Sequence, residues 1–221
     1  MKEEQEIKDR ILAKARELFF RSGFRRITME EIAHELGISK KTLYLYFNSK
    51  QDLLRLCLEQ RLQEMKYQVE QITEDNNRDS IKKMQGIFQA AFDLVTSISR
   101  NFLEDLRRYE PGLWKRIDDF RERVMFKTIS RLLMEGRKMG MVRSDLDHNL
   151  IVLILFTTIQ NIINPEQLAR LPFSLSDVFE TLLKIVYNGI FTERARTRFR
   201  SDSSSPEAGF LFSQSEGEHA P

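Results

Sequence analysis

The chain has little of what most chemistry needs. Of 221 residues one is cysteine and three are histidine. A lone Cys57 excludes an intrachain disulfide and a cysteine-rich zinc site. His34, His148 and His219 are scattered, with no HExxH spacing. No Ser-His-acid order, paired-carboxylate spacing or Gly-rich phosphate loop stands out, so the reading is of a non-enzyme with no metal and no cofactor. Nine glycines and five prolines leave little turn chemistry for a β-rich fold. The longest unbroken apolar run, Leu150 to Phe156, is seven residues, against the roughly 20 of a membrane-spanning helix. The opening MKEEQEIKDR has no apolar stretch of a secretory signal, and a cytoplasmic protein without membrane contact is expected.

Net charge is also scarce, only +2, but it is unevenly distributed. Residues 1–50 hold eleven Lys/Arg against eight Asp/Glu, residues 51–192 hold twenty of each, residues 193–200 carry +3 and residues 201–221 carry −4. From Leu36 to Gln51 there are three lysines and no acid. A local positive footprint of this kind suits a polyanionic partner.

Apolar residues recur at three and four, which predicts an all-α chain. A first helix carries Ile7, Ile11, Leu12, Ala15, Leu18 and Phe19 and stops at Gly23. Later helices are expected over Ser49 to Ile72, Ser80 to Ile98, Phe102 to Tyr109, Leu113 to Gly140, Asp145 to Ile163 and Leu175 to Phe191, with breaks at Asn164-Pro165 and Leu171-Pro172. A Ser-rich polar tail, residues 199–221, has the composition of disorder.

The segment Ile27 to Leu54 says most. Thr28 with Glu31 forms a capping box, Gly37 can take the left-handed backbone that ends a short helix, and Ser39 caps the next. Two short helices across a three-residue turn make a helix-turn-helix, and Ser49 with Asp52 opens a longer helix as a further capping box. If Leu43 and Phe47 face inward, Lys40, Lys41, Thr42, Tyr44 and Tyr46 lie near the N-terminus and outer face of the second helix. Those side chains suit phosphate and base edges. Lys50, in the first turn of the helix that follows, joins them as a phosphate ligand. Tyr44 and Tyr46 have packing roles as their competing reading.

The series Phe19-Phe20-x-x-Gly23-Phe24, Ile27-Thr28, Ile32-Ala33, Leu36-Gly37-Ile38-Ser39, Thr42-Leu43-Tyr44-x-Tyr46-Phe47 and Ser49-Lys50 closely resembles the DNA-binding domain of the TetR family of bacterial transcriptional regulators. The resemblance implies a three-helix DNA-binding domain over residues 1–50, a helical effector-binding and dimerisation domain over 51–198, and a homodimer on a near-palindromic double-stranded operator. It implies Thr28, Thr42, Tyr44, Tyr46 and Lys50 as DNA contacts, with Lys40 and Lys41 at positions where base readers vary. In the second domain it places Met84, Phe88, Phe92, Phe102, Leu106, Trp114, Phe120 and Met125 around an effector cavity. Ordinary core packing is the competing reading for each. With no acidic or histidine cluster among them, a mainly apolar or aromatic small molecule is expected.

The last two long helices are apolar on more than one side and so need two partners. Leu150 and Ile154 of the first, and Phe179, Leu183, Val186 and Ile190 of the second, are the candidate dimer face, as a four-helix bundle. The reading is a repressor released from its operator by its ligand. The alternative is a TetR-like DNA-binding protein without an effector, controlled by a protein partner, which a domain packed without a cavity would favour.

Overall fold

A computed structural model of the chain describes residues 2–162 and 172–201. Helix α1 is Lys2–Ser22, α2 Met29–Glu35, α3 Lys40–Tyr46, α4 Lys50–Glu74, α5 Ser80–Ser97, α6 Arg100–Tyr109, α7 Pro111–Arg123, α8 Ser130–Lys138, α9 His148–Ile162, α10 Leu175–Ile190 and α11 Glu193–Ser201. The expected helix end at Ile163 and the breaks at Asn164-Pro165 and Leu171 fall outside the described residues. The tail placed from residue 199 is helical to Ser201, and 202–221 fall outside the description too.

Helix boundaries follow local chemistry. Gly23 ends α1 at φ +93° and Gly37 follows α2 at φ +66°, both in the left-handed region. Thr28 and Glu31 complete a reciprocal box: Glu31 N–H donates to Thr28 Oγ1 at 3.1 Å, and Thr28 N–H donates to the Glu31 carboxylate at 2.6 Å. Ser49 differs from expectation. It accepts from Asp52 N–H at 3.0 Å, but Arg55 engages the Asp52 carboxylate at 2.6 Å, so this cap works in one direction only.

The helix expected over Leu113 to Gly140 begins two residues earlier, with Pro111 in its first turn, where a missing N–H costs nothing. It is also not uniformly α. Val124–Ile129 form a π-helical turn between α7 and α8, an insertion that shifts the helical register by one residue.

Two cores result. The first gathers Ile11, Ala15, Phe19 and Phe20 of α1, Ile32, Leu43 and Phe47 of the helix-turn-helix, Leu53, Leu54, Cys57 and Leu58 of α4, and Phe102 and Leu106 of α6. Cys57 donates its thiol to Leu12 O at 3.4 Å, and burial pushes that thiol up to about 12. The second core joins α5, the π turn, α8, α9 and α10. An isolated antiparallel bridge between Val142 and Phe191 ties the loop before α9 to the end of α10. The arginine-rich end folds back on the body: Arg198 pairs with Asp79 at 2.6 Å, and Arg196 donates to Asn188 O at 2.9 Å.

The two left-handed glycines separate two costs. A Cβ on Gly37 meets nothing within 4 Å, whereas one on Gly23 lies 2.9 Å from Asp105 Oδ2 and 3.2 Å from Asn101 Cβ of α6. Gly37→Ala is expected to lose about 1–2 kcal/mol from backbone conformation alone. Gly23→Ala should lose more, because α6 has to shift as well. Urea denaturation of the two variants checks that order.

Candidate DNA interface and effector cavity

Helix α3 is anchored by fully buried Leu43 and nearly buried Phe47, so its remaining surface turns outward. Lys40 and Lys41 are exposed on its first turn, and Tyr44 is exposed one turn on. Lys40 pairs with Glu30 of α2, an ion pair that raises the lysine above its ordinary value and lowers the carboxylate; its ammonium also sits 5.9 Å from the Tyr44 ring centre. Lys41 has no ion-pair partner among the described residues. Thr28 is exposed, and its N–H and hydroxyl hold the Glu31 carboxyl below the usual range. The Thr42 hydroxyl lies 2.7 Å from Ser39 Oγ at the helix start. Tyr46 is half-buried and packs on the first core.

Leu45, which the sequence reading passed over, is 76% exposed. It lies one turn after Lys41, and an outward apolar side chain beside lysines suits a thymine methyl. The available signal was its spacing from Leu43: two residues on, a helical position faces away from the core.

Lys50 departs from its expected role. Its ammonium donates to Phe24 O at 3.0 Å and Ile27 O at 2.9 Å, reaches Arg25 O at 3.5 Å, and lies 4.4 Å from the Phe24 ring centre. Partial burial, with Arg25 close by, lowers its pKa. The side chain clamps the turn between α1 and α2, and the three carbonyls occupy the donors a phosphate would use.

Below this domain lie two adjacent cavities of about 80 and 130 Å³ that share Phe120 and Arg121 in their walls. Phe102, Leu106, Trp114 and Phe120 line the first; Phe88, Phe120 and Met125 line the second. Two expected lining residues do not reach either. Met84 is buried in the second core, and the Phe92 ring lies tilted against Phe179, its centre 6.2 Å away, one turn beyond Phe88 on α5. Helical spacing put Met84, Phe88 and Phe92 on one stripe of α5 without showing where along it the cavity lies. Arg121 and Arg61, absent from the sequence reading, stand in the wall of the first cavity.

The expected dimer face is also redrawn. Leu150 and Ile154 of α9 are 57% and 63% exposed, but Phe179, Leu183, Val186 and Ile190 are buried in the protomer's own cores. On α10 the outward residue is Ile185, from the other apolar stripe, at 64% exposure. The periodicity showed two stripes on this helix; α5 covers one of them.

Residues 11–57 match the model of bacterial regulatory proteins of the tetR family. Over 181 residues the chain is 28% identical to the uncharacterized HTH-type transcriptional regulator YvaF of Bacillus subtilis, covering 82% of this chain and 94% of that one. The N-terminal helix-turn-helix domain is of the tetR family. Among solved structures, the ketosteroid transcriptional regulator KstR2 of Mycobacterium tuberculosis superposes with a TM-score of 0.58 at 24% identity, covering 84% of this chain and 95% of its own. The transcriptional regulator FadR of Bacillus subtilis, solved in complex with stearoyl-CoA, gives 0.54 at 22% identity, covering 82% and 97%. At these identities the likeness is one of fold: an all-α chain with an N-terminal helix-turn-helix. No helix among the described residues is long and apolar enough to cross a membrane.

The two lysines of this regulator are expected to separate in experiment. Lys50→Ala should cost about 1.5–3 kcal/mol of stability through its lost charged hydrogen bonds, read by urea denaturation. Lys41→Ala should leave stability unchanged and reduce the salt dependence of DNA binding by about one phosphate. A salt titration showing the larger loss of slope in Lys50→Ala would restore the phosphate role to that residue.

Proposed function

We propose that the protein is a cytoplasmic homodimeric repressor that leaves its operator when a small, mainly apolar molecule fills the cavities below α1. The supporting observation is that one side chain belongs to both parts. Phe20 packs in the core of the DNA-binding helices and lines the first cavity, its ring 4.7 Å from that of Phe102. Two hydrogen bonds reinforce the joint: Ser99 N–H donates to Phe20 O at 2.8 Å, and Arg25 N–H donates to the Asp105 carboxylate of α6 at 2.7 Å. A molecule that moves α6 therefore moves the frame of the reading helix. The ligand shifts the equilibrium by the difference between its affinities for the two arrangements.

In this reading Lys40, Lys41, Tyr44 and Leu45 face bases and phosphates, while Thr28, Thr42 and Tyr46 shape the ends and back of the reading head. Leu150 and Ile154 with Ile185 form an outward apolar patch that a second copy covers, placing two reading heads on a near-palindromic site. The apolar cavities favour effector control over control by a protein partner alone. The stearoyl-CoA bound by the similar FadR fold is a precedent for a ligand with a long apolar chain.

Ile154→Glu places a carboxylate in the patch and is expected to give a folded monomer by sedimentation. Its operator affinity should fall at least about tenfold, roughly 1.4 kcal/mol, in a gel-shift titration on DNA selected by the wild-type protein. A dimer that persists in this variant with full affinity would place the two-fold contact elsewhere.

A further inference from the structure

The cavities are apolar but not neutral. Among the described residues neither wall contains an Asp or Glu, yet the first contains Arg61 and Arg121, and Arg121 also borders the second. Arg121 is the unusual one. Its Nη2 donates to Asp118 at 2.5 Å and its guanidinium lies 5.4 Å from the Trp114 ring centre, but its Nε is buried and has no hydrogen-bond partner. An unmet buried donor on a cation carries the full cost of its desolvation. Consistently, burial holds this arginine below its ordinary value despite the Asp118 charge. Arg61 is only loosely paired, 3.4 Å from Glu64, whose carboxylate is held more closely by Arg16 at 2.7 and 2.8 Å.

We infer that the effector is an apolar molecule bearing a carboxylate, with Arg121, which borders both cavities, receiving the carboxylate at its unpaired Nε and the apolar part occupying the cavity space. The inference rests on the effector reading above and makes it specific. A carboxylate oxygen supplies the missing acceptor and forms a charge-assisted hydrogen bond with the guanidinium. A neutral apolar ligand would leave Nε unsatisfied. A cationic one would face two guanidiniums with no acid to offset them.

The experiment measures binding of octanoate, octan-1-ol and octyltrimethylammonium to the full-length protein by calorimetry, below any micellar concentration. Octanoate is expected to bind at least about tenfold more tightly than the alcohol, and the ammonium not measurably. Arg121→Gln should reduce octanoate to the level of octan-1-ol while leaving the alcohol unchanged. Asp118→Asn, which removes the protein's own carboxylate from the guanidinium, should tighten octanoate and so keeps the test open if Arg121→Gln fails to fold. Equal binding of acid and alcohol to the wild type overturns the carboxylate assignment and leaves an apolar effector standing. Preference for the ammonium, or octanoate affinity unchanged in Arg121→Gln and not raised in Asp118→Asn, also overturns it. Loss of operator binding in Ile154→Glu is independent of all these outcomes, so the DNA-binding reading can fail or survive separately.

Discussion

The architecture depends on one aromatic contact, Phe20 against Phe102. Packed interiors are as dense as organic crystals and transmit displacement instead of absorbing it. Phe20 lies near the end of a helix whose inner face is otherwise committed to the reading head, and Phe102 lies on the short helix that roofs the first cavity. The first cavity and the reading head are thus separated by only a few side chains. The adjacent Gly23 shows how close the approach is, since a single Cβ there would meet α6.

The reading head was largely legible in sequence because local rules determine it. The Thr28–Glu31 box, the glycine after α2 and the Ser39 cap each act within a few residues, and inward Leu43 and Phe47 follow from helical spacing. The anchoring of Lys50 was not legible because its partners, the carbonyls of Phe24, Arg25 and Ile27, lie more than twenty residues earlier and bear no side-chain signature. Leu45 was missed because an exposed leucine looks like any other leucine in a string.

The C-terminal half was legible as helices and far less so as surfaces. A stripe at three and four shows that a helix has an apolar side; it does not say which neighbour covers that side. So α10 was given the correct two stripes with the outward one misassigned, and Met84 and Phe92 were placed in a cavity that Phe88 reaches and they do not. Arg121 illustrates the same limit from the polar side. Among thirty-five basic residues nothing local marks it out, and its character comes from Trp114, Phe120 and the π turn that follows.

Cys57 adds a constraint on the kind of signal this regulator can receive. It is the chain's one thiol, sealed beneath α1 and held protonated, and nucleophilic attack and oxidation both require an accessible thiolate. A peroxide or an electrophile in the cell therefore has no cysteine to modify while the fold is intact. Under the proposed reading the signal is reversible occupancy, which follows the current concentration of a compound and does not pass through this thiol.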